Sequence, residues 1–228
     1  MKTLNAAWQI ALKDLRVESR SRELVFTTLF FALTSVLVFA FSFVQADDSV
    51  PAGAPSGILW VTLAFSGTIA LTRTFERERE HDTLRGLLLS PVPRSAVYLG
   101  KLVGVLLLLL AIQALIVPLT GLFFQAPIGR AAGWLIAMLV TGALGFAAVG
   151  TLFAAMLVRA RSRDVLLPLV LFPIVVPVII AGVRGTNAIF LPEPDFAMAR
   201  VWLAMLISFD AVFVSLALWT CGPLLGES

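Results

Sequence analysis

The sequence predicts an all-α membrane protein with about six transmembrane helices, and three observations carry that prediction. The 228 residues are 59% hydrophobic and only 14% charged, whereas a soluble domain is nearer half apolar and a quarter charged. The apolar residues gather into six runs, Leu24–Gln45, Gly57–Thr72, Ser95–Phe124, Gly133–Val158, Val165–Val183 and Ala199–Gly222. A helix needs about 20 apolar residues to cross the hydrocarbon core. The basic residues are also placed asymmetrically. With the N-terminus in the cytoplasm, only Arg130, Arg184 and Arg200 of the 17 lysines and arginines fall outside. The positive-inside rule therefore puts both termini of a six-span chain in the cytoplasm. The spacing predicts one transmembrane domain over 1–228, with spans near 24–45, 57–75, 95–118, 133–158, 165–183 and 199–222.

Residues 1–23 come before the first span. Leu4, Trp8, Leu12 and Leu15 recur at helical spacing, opposite Asn5, Gln9, Lys13, Arg16 and Arg20. Such a helix lies in the interface plane, its aromatic ring at headgroup depth and its cations toward anionic lipid. The charged leader and the length of the first run argue against a cleavable signal peptide. A bacterial inner membrane is the expected home.

The second run is short unless it continues through Arg73 to Phe75. Pro118 is expected to kink or end the third span. Pro168, Pro173 and Pro177 should bend or break the fifth, since each removes a backbone hydrogen bond. Arg184–Met198 reads as the longest outer segment. In the sixth span Trp202 and Trp219 stand about 25 Å apart at 1.5 Å per residue, which suits two aromatic belts. Asp210 lies between them. A carboxylate at that depth costs roughly 2.5–3.5 kcal/mol on insertion scales, so it should face the bundle, a subunit interface or a wet cavity. A hydrogen bond to a neighbouring helix and a role in a pathway both remain open for it.

Several function classes fall away. Gly100-Lys101 is followed by Leu102 at the start of a span, so there is no P-loop and the chain is not the ATPase. Gly100 and Gly104 form a GxxxG pair, a pattern that permits close helix approach. A single histidine, His81, and a single cysteine, Cys221, build no metal cluster and no Ser/His/Asp triad. Tyr98 and Met198 have haem-ligating atoms, but nothing in the pattern singles them out. The basic residues flank spans and alternate with acids, which argues against nucleic acid.

The most informative stretch is the second inner loop, residues 76–93. It opens as the mixed-charge run Phe75-Glu76-Arg77-Glu78-Arg79-Glu80. Asp82 or Thr83 can then cap a short helix that presents Leu84, Leu87 and Leu88 on one side and stops at Pro91. Ser95 offers a cap for the third span. A short helix with an apolar face suits either the inner leaflet or a groove on a cytosolic partner.

The run GLLLSPVPRSAVYLGK, preceded by FERERE and DTL, resembles the haem exporter protein B family (CcmB) of the cytochrome c maturation system. That family belongs to the ABC-2-type permeases. The similarity extends to length, span number, the charged N-terminal helix and the proline-bearing fifth span. Some members carry Asp-Gly-Thr-Leu where this chain has His81-Asp82-Thr83-Leu84, so the glycine turn is missing here.

The resemblance implies a coupling helix that docks into a separate ATPase subunit, CcmA. Phe75, Leu84, Leu87 and Leu88 would be the apolar anchors, and Glu78, Asp82 and Arg85 would fix the register. It also implies a CcmC-like haem-handling membrane protein, a CcmD-like small protein and a CcmE-like haem chaperone as partners. Lipid surrounds the chain, and a homodimer stays open. Haem enters as a transported or partner-bound ligand and not as a resident cofactor. Two other readings stand beside this one. One is an ABC-2 permease for lipid, polysaccharide or drug. The other is a non-transporting adaptor that passes ATPase strokes to partner proteins.

Overall fold

Inside a bilayer, an apolar run can satisfy its own backbone only as a helix or within a closed barrel, and runs of this length form helices here. The computed structural model describes backbone residues 2–21, 23–43, 51, 53–80, 93–157 and 163–224. Side chains are described for these except 2–4, 17–24, 75–80, 94, 163–164 and 221–224.

Seven α-helices occur among the described residues: α1 (Lys2–Ser21), α2 (Glu23–Phe43), α3 (Ala54–Glu80), α4 (Arg94–Phe124), α5 (Ala132–Met156), α6 (Arg163–Phe190) and α7 (Phe196–Leu224). A 3-10 turn, Ile128–Ala131, leads into α5. The helices from α2 to α7 each contain a stretch long and apolar enough to cross a membrane. The chain is a multi-pass membrane protein.

The helices pack as two groups of three. Helices α2, α3 and α4 touch one another, as do α5, α6 and α7. The groups join where α3 meets α6 and where α4 meets α5, and α1 lies along α4. At the first joint Trp60 of α3 is almost fully buried. Its indole N–H donates to Thr186 Oγ1 at 2.9 Å. Gly142 of α5 and Gly182 of α6 make room for the ring, since a Cβ on either would come within 2.2 Å of it. Small residues that let large neighbours in are the usual basis of packing in lipid, where apolar burial gives helices little net attraction. At the second joint Tyr98 Oη donates to the Ala148 carbonyl at 3.1 Å. Gln113 Nε2 donates to the Leu139 carbonyl, also at 3.1 Å.

The prolines do not interrupt their helices. Helix α4 runs through Pro118 to Phe124 and ends on Gln125, in the left-handed region at φ 51°. Helix α6 is not broken and passes through Pro168, Pro173 and Pro177. Its buried stripe of Leu167, Leu171, Val175, Val178 and Ala181 holds it against its neighbours. Tertiary packing here outweighs the lost backbone hydrogen bonds.

The outer segment is also shorter than the expected 184–198. Helix α6 continues to Phe190 and α7 starts at Phe196. Thr186 is buried against Trp60, so the polar residues after Val183 have a place in the helix. Arg130 pins the remaining turn by donating to the carbonyls of Leu191 and Pro192 at 3.2 and 2.8 Å. Asp195 caps α7 by accepting the Met198 N–H at 2.9 Å. Helix α4 does not start on Ser95. Pro93 holds the N-cap position without a side-chain cap, and its carbonyl accepts the Ala96 N–H at 2.8 Å.

Candidate functional site

The expected ATPase-docking residues divide at the end of α3. That helix continues beyond its membrane-crossing stretch, Ala54–Thr74, to Glu80. Phe75 and Glu78 therefore stand on a helix that projects from the bundle. Their side chains lie outside the described residues. So do Asp82, Leu84, Arg85, Leu87 and Leu88 in full, and His81 with them. Helix α4 resumes at Arg94, directly after this segment. Any element formed between 81 and 93 is thus tethered at both ends to α3 and α4, two helices of one packed group.

Asp210 is described in full. It lies on the stripe of α7 that also buries Ala199, Leu206 and Ala217. That stripe faces the bundle, while Val201, Ile207, Val212 and Trp219 on the other side are exposed. Asp210 is 7% exposed, and its Oδ1 has no hydrogen-bond partner. It points at Gly145 of α5, where a Cβ would sit 2.6 Å from Oδ1. Phe209 and Phe213 stack beside it at 4.4 Å between ring centroids. The hydrogen bond to a neighbouring helix, one of the two readings left open by the sequence, is not made by Oδ1 in this chain. Buried polar groups are nearly always paired, so an unpaired carboxylate oxygen inside a span marks a place for a partner, water or substrate group. The hydroxyls of Thr62, Ser66 and Thr151 are also buried without partners.

The atoms considered for haem sit elsewhere. Tyr98 is buried with its hydroxyl on Ala148, and Met198 is exposed in the first turn of α7.

Sequence reasoning missed a second buried charge. Lys101 of α4 is 3% exposed and donates to Asp14 Oδ2 of α1 at 2.6 Å. Lys13 approaches the other oxygen of Asp14 at 3.2 Å. A separation of 87 positions between Asp14 and Lys101 hides the pair from any local pattern.

The docked face of α1 lies apart from its Trp8, Leu12 and Leu15 stripe. Ala7, Ile10 and Ala11 are buried, whereas Trp8 is 53% exposed. At about 100° per residue, the Trp8, Leu12 and Leu15 stripe lies roughly a quarter turn from the docked face. Helix α1 thus keeps an apolar side free for lipid while a small-residue side packs on protein. Gly100 is the signal that could have found this contact. A Cβ there would meet Ile10 Cβ at 2.7 Å and the Ala7 carbonyl oxygen at 2.8 Å. The GxxxG pair is where α1 lands.

Comparison with known proteins agrees with this architecture. A family model described as "CcmB protein" matches residues 5–224. The chain is 30% identical over 178 residues to heme exporter protein B of Paracoccus denitrificans, covering 78% of this chain and 81% of that one. It is 29% identical over 208 residues to heme exporter protein B of Rhodobacter capsulatus, covering 90% and 91%. A match of 31% over 97 residues to heme exporter protein B of Escherichia coli K12 covers 42% and 44%.

Proposed function

Because the chain belongs to the CcmB protein family, we propose that it is the permease subunit of a haem exporter acting in cytochrome c maturation. The observation that carries the reading is the match over residues 5–224, nearly the whole chain, together with six membrane-crossing helices in the described structure. The relatives named heme exporter protein B do not favour the lipid, polysaccharide or drug permease, nor the bare adaptor. The chain is a non-catalytic subunit, and ATP is hydrolysed on a separate CcmA-like chain. CcmC-, CcmD- and CcmE-like proteins complete the assembly. It sits in the bacterial inner membrane with both termini in the cytoplasm, which the placement of its basic residues supports.

In this reading the ATPase docks on the segment between α3 and α4. Phe75, Leu84, Leu87 and Leu88 are the anchors, while Glu78, Asp82 and Arg85 set the register. Rim charges contribute more to specificity than to affinity. Both ends of the segment run into packed helices, so a displacement there is delivered to the α2–α4 group as a rigid push. In this reading haem is cargo or a partner's ligand.

The test is co-purification of the ATPase with variants at matched expression, followed by c-type cytochrome assembly in cells. Burying a leucine contributes roughly 1.5–3 kcal/mol. The double substitution Leu84→Asp and Leu87→Asp removes two such contributions and adds two charges. It should release the ATPase and abolish cytochrome assembly, while Asp47→Asn should do neither. Full ATPase recovery with the double variant would eliminate this docking segment. Normal cytochrome assembly in cells lacking the chain would overturn the haem-exporter reading itself.

A further inference from the structure

A cavity of about 230 Å³ opens beside the Asp14–Lys101 pair. Its walls come from four helices: Asp14 and Leu15 of α1, Val25 of α2, Thr74 of α3, and a stripe of α4 from Lys101 through Gly104 and Leu108 to Ala111. We propose that this cavity is a binding site for one anionic glycerophospholipid of the leaflet on the α1 side, with an acyl chain in the groove and the phosphate beside the Lys13–Asp14–Lys101 group. The proposal concerns the flank of the bundle and does not depend on the exporter reading.

Three features select this occupant. The first is length. Lys101 to Ala111 spans ten residues, or about 15 Å of helix, which is half of the roughly 30 Å hydrocarbon core. The groove therefore has the reach of one leaflet. The second is volume. Sites for drug-sized ligands occupy about 300–1,000 Å³, so this cavity suits a linear chain and not a macrocycle such as haem. The third is charge. Two lysines flank one aspartate, at 2.6 and 3.2 Å, at the polar end of an apolar groove. Lys13 is 45% exposed and reaches outward, whereas Lys101 is buried. A phosphate can thus be met by Lys13 without breaking the inner pair. Gly104 keeps the groove open, because the nearest atoms to a Cβ there are those of Asp14 at 4.0 Å. Anything longer than a methyl group at that position would project into the space.

Native mass spectrometry of the full chain, purified in mild detergent and delipidated stepwise, tests the proposal. Phosphatidylglycerol, phosphatidylcholine and inorganic phosphate are added back separately. Wild type should retain one phospholipid per chain after bulk lipid is gone. Gly104→Leu and Leu108→Trp, which fill the groove from two positions, should each lower retention at least tenfold. Gly133→Leu, where nothing lies within 4 Å of a Cβ, should retain it. Lys13→Gln should keep the lipid but lose several-fold of the preference for phosphatidylglycerol over phosphatidylcholine. Wild-type retention in both filled variants overturns the proposal. So does competition by inorganic phosphate as strong as by the intact lipid, or a preference that Lys13→Gln leaves unchanged.

Discussion

Asp14 lies at the α1 end of the bundle between two lysines, the nearer one 2.6 Å away and itself buried. Asp210 lies near the middle of α7, more deeply buried than Asp14, with an oxygen that accepts no hydrogen bond among the described residues. The two carboxylates sit in the bundle for different reasons. Asp14 and Lys101 join α1 to α4 by mutual neutralisation, beside a helix contact already made close by Gly100. Removing Asp14 strips the buried Lys101 of this carboxylate, whereas removing Lys101 leaves a partly exposed Asp14 that still has Lys13 at 3.2 Å; breaking a buried pair from one side is where it shows its energy. Asp210 Oδ1 accepts no hydrogen bond among the described residues, and burying such an oxygen has a desolvation cost. The paired charge belongs to the architecture, and the unpaired oxygen is left open to water, a partner or a substrate group.

The largest expected effect is on the paired side. Lys101→Met should destabilise the chain by about 1.5–3 kcal/mol, the usual worth of a hydrogen bond to a charged group, since the Asp14 left behind is partly exposed and keeps Lys13. The double substitution Asp14→Leu and Lys101→Met should recover most of that loss, because two apolar groups of similar size can replace such a pair. Thermal unfolding in detergent reads both. If the double variant is no better than Lys101→Met, the pair does not act as a unit and the contrast with Asp210 fails.

Next comes the contact that confines Asp210. Gly145→Ala puts a methyl 2.6 Å from Asp210 Oδ1 and 3.2 Å from Phe209. Overpacking of this kind costs about 1–3 kcal/mol. In the Asp210→Ala background the same substitution should be nearly neutral. An equal loss in both backgrounds would place the strain on Phe209 and not on the carboxylate.

Asp210→Leu should then raise the stability of the isolated chain by about 1–2 kcal/mol, since an unsatisfied buried group is replaced by an apolar one. It should nonetheless impair cytochrome assembly in cells, and Asp210→Asn, which keeps hydrogen-bonding capacity, should impair it less. Unimpaired assembly with the leucine would show that the carboxylate has no partner outside the chain that matters.

The contrast between the two carboxylates also explains what was legible beforehand. The six spans could be read because span length and charge placement are local properties of the sequence. Asp210 could be found because one acid in a long apolar run stands out. Its lack of a partner could not, since that depends on α5 presenting Gly145 there. The Asp14–Lys101 pair was invisible for the same reason, as its members belong to helices far apart in the chain. The docked face of α1 was not read beforehand, because Ala7 and Ala11 carry little weight in any reading by hydrophobicity. Between helices in lipid, small residues matter more than large ones. That α6 stays unbroken through its prolines could not be read either, because it depends on packing that no local window contains. The docking segment after Glu80 rests on its sequence pattern, since it lies outside the described residues.

The smallest expected effect asks whether the α1 corner is a pair or a triad. Lys13 is 45% exposed and 3.2 Å from Asp14, and exposed ion pairs contribute about 0–1 kcal/mol because water screens them and long side chains lose entropy. Asp14 keeps Lys101 when Lys13 is gone. Lys13→Gln should therefore change stability by less than about 0.5 kcal/mol, well below Lys101→Met, although it alters lipid preference. A loss above about 1.5 kcal/mol would mean that Asp14 needs both lysines to hold α1 in place. The buried charge of α4 would then be only one part of a larger network, and its contrast with the solitary Asp210 would be sharper still.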